Sequence, residues 1–185
     1  MKFLLTHQET PRLRLRPVSR NDFGQWVDFF ADPESFKYWD AVRSDPVSDC
    51  ENWYARQLER YRNDEGGMNA IIEKSTDELV GHGGLLIQQV DEISELEVAY
   101  SLLSRHRNKG FATEVARKCR DFAFENDFAP SLISIISHNN SPSSRVAEKN
   151  NMAVDKHTIY HENDVNIYRI YREDWIAREL NSNSR

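Results

Sequence analysis

The residues with the plainest chemical use lie together in the segment Ser104 to Phe111, which carries Arg105, His106, Arg107 and Lys109 and sets Gly110 just ahead of an apolar-striped run. If that run is a helix, its first amide N–H groups lack intrahelical partners and its end carries a partial positive charge, so the turn suits a pyrophosphate. Glycine lets a bulky anion approach the backbone, and basic side chains add long-range attraction. The same geometry also serves as a plain strand-to-helix connection, and the turn by itself does not separate the two uses. A second group is acidic. Alternation along Glu95 to Leu103 puts Glu95, Glu97, Ala99 and Ser101 on one face and Leu96, Val98, Tyr100 and Leu102 on the other, so two carboxylates point the same way.

Other chemistries lack the residues they need. Among six histidines there is no HExxH spacing and no pair beside an acidic ligand, so no metal site is expected. No Gly-x-Ser-x-Gly elbow or Cys/His nucleophile pattern occurs, and Cys119 falls on an apolar stripe as a small core residue, which points away from covalent catalysis. Two cysteines without a CxxC spacing suggest a reducing compartment. The net charge of −6, with no basic cluster longer than the alternating Arg12, Arg14 and Arg16, argues against nucleic acid as the main ligand and suits a cationic substrate. The apolar run Phe3-Leu4-Leu5 is too short for a signal-peptide core or a membrane span, so a cytoplasmic protein is expected.

These groups need a frame. A chain of 185 residues can bury one core without disulfides, and 39% apolar with 29% charged residues is a globular composition; one domain over 1–180 is expected, with a disordered tail at 181–185. Residues 12–18 alternate arginine with leucine and predict a half-buried strand with its arginines solvated. Ser19 ahead of Phe23, Trp26, Val27 and Phe30 predicts one amphipathic helix, and a Ser48/Glu51 capping box ahead of Trp53, Tyr54, Leu58 and Tyr61 predicts another. Residues 31–46 between them read as an irregular surface loop able to line a cleft. Gly66-Gly67 ends the second helix, residues 68–74 and 79–90 form a hairpin, and 95–103 adds a strand. Ala112, Val115, Ala116, Cys119, Phe122 and Ala123 make the strongest helical stripe, over 112–126. A strand at 132–137, a short helix from Ser141-Pro142 to a left-handed stop at Asn151, and a hairpin of 153–160 with 165–172 complete an α+β order with one strand-helix-strand crossover.

At this point a family resemblance appears. Arg107-x-x-Gly110-x-Ala112, extended by Thr113 and Glu114, resembles the Gln/Arg-x-x-Gly-x-Gly/Ala acyl-CoA motif of the GNAT N-acetyltransferase superfamily. The segment from Asn140 to Met152 resembles the Asn-x-x-Ser...Glu-Lys-x-Gly-Met/Phe stretch of the branch that includes ribosomal-protein-alanine N-acetyltransferases. Pro11 to Pro17 and Leu79 to Gly84 resemble that branch too, so the similarity covers residues 11–175.

The resemblance implies a mixed, mostly antiparallel central sheet flanked by helices, with acetyl-CoA as co-substrate and a primary amine, either a protein N-terminus or a small molecule, as acceptor. It implies that the backbone of Ser101, Leu102 and Leu103 meets the pantetheine arm. The amides of Arg107, Asn108, Lys109, Gly110, Phe111 and Ala112 would meet the pyrophosphate, with Thr113 adding a hydroxyl. Asn140 matches an asparagine near the pantetheine and Ser143 a serine near the thioester sulfur; capping of the helix at Pro142 is the other explanation for both. An α-amino group has a pKa near ~8 and a lysine-like amine near ~10.4, so attack at neutral pH needs a base or a water relay. Glu97 resembles the glutamate of the family's Glu-x-Gly/Ala-Tyr strand in that role, with Glu95 the second choice and a plain solvent-facing glutamate the alternative. Many GNAT enzymes carry a tyrosine just before Glu-Lys, but here the residue is Ala147. Ser143 is then the substitute proton donor, and a non-catalytic acyl-CoA sensor of the same fold is the alternative function. A monomer or a homodimer fits the resemblance, with no nucleic-acid or membrane partner.

Overall fold

A computed structural model describes residues 2–40 and 42–182. β1 (Leu13–Pro17), α1 (Phe23–Ala31) and α2 (Pro46–Asn63) lead into β2 (Gly66–Glu73), β3 (Leu79–Val90) and β4 (Ile93–Leu102). Then come α3 (Phe111–Glu125), β5 (Ser131–Ser137), α4 (Ser141–Lys149), β6 (Ala153–Tyr160), β7 (Asn163–Tyr171) and α5 (Arg172–Ser182). Among the described residues the strands form one seven-stranded sheet in the order β1-β2-β3-β4-β5-β7-β6. All neighbours are antiparallel except β4 and β5, which run parallel and share one registered pair, Glu97 with Ile133. Past that pair a cleft opens between them. The α+β expectation, mostly antiparallel with one crossover, matches this layout.

Local chemistry explains the elements. The β3–β4 and β6–β7 connections are two-residue turns, Asp91-Glu92 and His161-Glu162, with all four φ values positive, as tight hairpins matching the strand twist require. α2 begins earlier than its Ser48 signal suggested: the Asp45 carboxylate accepts from the Val47 and Ser48 amides, and Pro46 takes the first helical position. α3 likewise starts one residue before Ala112, with Gly110 as its N-cap residue. Its buried face is Phe111, Val115, Ala116, Cys119, Ala123 and Phe124, while Ala112 and Phe122 sit at the margin. This face lies on Leu85, Leu96, Val98 and Leu132 in the main core. Full burial of one such Phe or Val is worth about 1.5–3 kcal/mol, so the stripe anchors the helix against the sheet.

Three expectations are corrected. The arginines in and just before β1 are not merely solvated: Arg12 pairs with Glu114, Arg14 with Asp77 and Arg16 with the buried Asp22. Alternation gave their face but could not show carboxylates arriving from other elements. The expected tail overlaps α5, which extends to Ser182 because Trp175 packs on Phe124 and donates its indole N–H to Asp121 at 2.9 Å; residues 183–185 lie outside the described residues. The 31–46 segment contains a 3-10 turn, Pro33–Phe36, capped by Asp32. Among the described residues no helix is long and apolar enough to cross a membrane.

Candidate functional site

The site begins at the N-terminus of α3. Gly110 has φ +84°, and no side chain caps the helix, so the first-turn amides face outward. The guanidinium of Arg12 secures this turn by donating to the Lys109 carbonyl at 3.0 Å and to Glu114 at 2.7 Å. Glu114 also accepts from the Thr10 hydroxyl and the Arg12 amide, and its hydrogen bonds and the adjacent Arg12 charge outweigh partial burial to hold its carboxyl below the usual range. Arg107 is placed differently from a phosphate-facing residue. Its side chain donates to the Leu102 carbonyl (3.2 Å) and the Ser35 hydroxyl (2.7 Å) and lies 3.3 Å from Asp32, while its amide bonds the Ser104 carbonyl. Arg107 therefore ties the loop after α1 to the end of β4. The amides of Asn108, Lys109, Gly110, Phe111, Ala112 and Thr113 remain to meet an anion. The Phe111 side chain is itself core, lying beneath the Arg12 guanidinium.

β4 leads from this turn to the chemical end of the cleft. Backbone groups of a strand alternate between its two neighbours. The Leu103 amide bonds the Val80 carbonyl, and a Cβ at Gly81 would lie 2.2 Å from the Ser101 carbonyl oxygen, so Ser101 and Leu103 turn their backbone toward β3. Val98, Tyr100 and Leu102 turn theirs toward the cleft; the Val98 carbonyl is taken by the Ser134 hydroxyl at 2.9 Å and that of Leu102 by Arg107. Of the three residues expected to meet the pantetheine arm, only Leu102 has this orientation, and Tyr100 joins it. Alternation was visible in the sequence, but which set faced the open edge depended on the sheet order.

Glu97 is 8% exposed and lines the cleft, so it is not a solvent-facing glutamate. Burial raises its pKa, against the opposing effect of hydrogen bonds from Gln88 and the Ile135 amide and of the Arg60 charge. The Gln88 amide nitrogen donates to Glu97 at 2.8 Å, while its oxygen accepts from Arg60 and from the Tyr160 hydroxyl, each at 3.1 Å. Tyr160 also stacks edgewise on Trp39, and Asn163 exchanges hydrogen bonds with the backbone of Asp40, so Trp39 and Asp40 are fastened beside Glu97. Glu95, its twin in the sequence, is consumed by Arg169.

Ser143 and Ala147 of α4 line the same cleft with Tyr100, Arg120, Asn150 and Met152. The Asn140 side chain caps α4 by accepting from the Ser143 amide at 3.2 Å. Burial pushes the pKa of the Tyr100 phenol up to about 12, against the opposing effect of the nearby Ser143 hydroxyl. Arg120, 6% exposed, donates to the Asn150 carbonyl at 3.0 Å and so holds the far end of α4 to α3. Gln88, Tyr100, Arg120 and Tyr160 carry no local sequence signal of these roles, because each acts through a partner distant along the chain.

One more cluster lies at the edge of this region. Glu73, Glu78 and His106 place one ligand-type atom each within 4.8 Å of one another. Burial lowers the His106 pKa, helped by Arg105 and Lys109 and opposed by the two glutamates.

Comparison with known proteins agrees with this geometry. A family model described as an acetyltransferase (GNAT) domain matches residues 12–153. An uncharacterised N-acetyltransferase, p20, of Bacillus licheniformis is 33% identical over 140 residues, covering 72% of this chain and 75% of that protein. The crystal structure of an acetyltransferase from Agrobacterium tumefaciens superposes with a TM-score of 0.76 at 27% identity, covering 91% of this chain and 96% of that one. A spermidine N-acetyltransferase from Vibrio cholerae, solved with CoA and spermine, has the same fold at 16% identity, with a TM-score of 0.72 over 90% of this chain and 99% of the other.

Proposed function

The chain belongs to the GNAT acetyltransferase family, and on that premise we propose that it moves an acetyl group from acetyl-CoA to a primary amine by direct attack, with Glu97 as the base. The observation that carries this is the burial of Glu97 in the cleft that Ser143 also lines, on the strand that runs on to the uncapped turn at Gly110. The outward amides of residues 108–113 suit the pyrophosphate, and the cleft-facing backbone of Tyr100 and Leu102 suits the pantetheine amides. The amine nitrogen attacks the thioester carbonyl carbon, its proton passes to Glu97 through water, and the C–S bond breaks to release the CoA thiolate. A carboxylate with a raised pKa is a stronger base than an ordinary one, which favours that transfer. Tyr100, with its pKa near 12, keeps its proton at neutral pH and serves to orient the Ser143 hydroxyl toward the departing sulfur. Glu97, Tyr160, Trp39 and Asp40 shape the acceptor side.

The test is release of free CoA with a panel of peptide N-termini and small amines, wild type against Glu97→Gln. Turnover should fall at least ~100-fold in the variant at neutral pH, within the usual contribution of general-base catalysis. Ala147, 3% exposed at the position where the family resemblance leads one to expect a tyrosine, motivates the sensor reading. Tight acetyl-CoA binding with no turnover on any acceptor would establish that reading instead.

A further inference from the structure

We propose that Glu73, Glu78 and His106 bind a divalent transition-metal ion at the junction between the β2–β3 turn and the turn that precedes the Arg107–Ala112 loop. The two carboxylates come from the two ends of one tight connection. Glu73 closes β2 and Glu78 precedes β3; the Glu73 amide donates to the Glu78 carbonyl at 3.0 Å and the Asp77 amide to the Glu73 carbonyl at 2.9 Å. His106 ends a 3-10 turn immediately before Arg107.

His106 is the observation that points to a ligand. Its ring is 2% exposed, and neither nitrogen has a hydrogen-bond partner among the described residues. A buried polar group left in that state costs about 1–3 kcal/mol, so an unused imidazole inside the fold needs a reason. Its Nε2 lies 3.7 Å from Glu78 Oε2, too far for a hydrogen bond yet aimed at the carboxylates. A cation between them gives the lone pair a partner without breaking any contact the ring makes. Glu78 is 55% exposed and free to rotate inward to metal-bond length, about 2.0–2.2 Å. Glu73 is oriented from behind by the Thr76 hydroxyl, which donates to it at 3.3 Å, an outer contact of the kind that fixes a ligating carboxylate.

The donor set selects the ion class. One imidazole nitrogen with two carboxylate oxygens suits Zn²⁺, Co²⁺ or Mn²⁺, whereas Mg²⁺ and Ca²⁺ prefer oxygen alone and no thiolate is present to favour Cu⁺. Two anionic ligands balance the ion's charge and offset the repulsion from Arg105 and Lys109 nearby. Bound there, the ion would clamp the β2–β3 turn to the start of the loop. His106 also packs on Phe111, the first residue of α3, at a ring separation of 6.3 Å, so the clamp would extend to the helix start.

The site stands independently of the transferase reading and is tested without it. The metal-stripped full-length chain is titrated with Co²⁺ while its visible d–d absorption is followed, then with Zn²⁺ by calorimetry and thermal melting. One ion per chain is expected, with a rise in Tm. Glu78→Gln and Glu73→Gln, both replacing side chains outside the core, should each weaken binding at least ~10-fold and remove the Tm rise. His157→Ala, which alters the exposed His157–Asp164 pair, should change neither. Absence of saturable Co²⁺ binding in wild type, or equal affinity in wild type and Glu78→Gln, overturns the proposal. Since both glutamate variants can be checked for an unchanged metal-free Tm, loss of binding through misfolding is distinguishable.

Discussion

Gln88 donates a hydrogen bond to Glu97 across 2.8 Å, and that amide is in turn gripped by Arg60 and Tyr160. Gln88 thus stabilises the charged carboxylate in a buried position where desolvation favours the neutral one. The rate should rise with pH as Glu97 ionises, with its acidic limb centred above the ordinary carboxylate range. Replacing Gln88 with leucine removes the hydrogen bond and loosens Arg60, both of which favour the anion, so the limb should move to still higher pH. A pH profile of CoA release measures this; a limb that stays in place would detach Gln88 from the base.

Gly110 has φ +84°, and a Cβ there would sit 3.3 Å from the Arg12 guanidinium. Gly110→Ala should cost about 1–2 kcal/mol through backbone strain, read as a fall in Tm. Gly110→Glu adds a carboxylate to the amide-lined turn, so acetyl-CoA affinity should drop about 100-fold, near 2.7 kcal/mol, while the fold persists. Calorimetric titration of acetyl-CoA separates the two variants. Equal affinity in both would show that strain, not anion repulsion, governs the loop.

His82 is fully buried against Trp26 and Trp53, and burial lowers its pKa to about 3. The unfolded chain, with an ordinary pKa near ~6.5, binds the proton that the folded chain refuses. Stability from this residue is therefore complete above about pH 6.5 and declines as pH falls toward 3, by about 1.4 kcal/mol per unit within that window. Urea unfolding at pH 7 and pH 4.5 should show the loss, and His82→Leu should flatten it. An unchanged slope in the variant would assign the acid sensitivity elsewhere.

How far the sequence led depended on whether a feature was local. The stripe from Val115 to Ala123 and the left-handed stop at Asn151 are short-range signals, and the structure keeps them. α5 was missed because its anchoring aromatic, Trp175, packs on Phe124, a residue distant along the chain that local periodicity does not pair with it. The grip of Arg107 on Asp32 and Ser35, and the approach of Glu73 and Glu78 to His106, join residues far apart in the chain. Such pairings follow from strand order, which local periodicity does not encode.

The same distinction decides between the two glutamates of β4. Arg169 on β7 reaches across β5 to Glu95, with Nη2 at 2.7 Å and Nη1 at 3.0 Å, and both side chains are 11% exposed. Arg169 also binds Ser131 at 2.8 Å and Asp155 at 2.9 Å, so one guanidinium joins β4, β5, β6 and β7 at the closed end of the cleft. Arg169 is registered with Ile133, which is registered with Glu97, the single pair where β4 and β5 meet. Glu95 is thereby spent on holding the strands together, which leaves Glu97 as the carboxylate available for chemistry. Removing one partner of a largely buried pair strands the other, so Arg169→Met should cost about 3 kcal/mol and lower the Tm by several degrees. Acetyl-CoA affinity should fall with it, because the cleft loses its fixed end. The double variant Glu95→Leu with Arg169→Met should recover part of the stability, since no buried charge is then left alone in that pair. A double variant no better than the single one would mean that the Ser131 and Asp155 contacts, rather than Glu95, do the fastening.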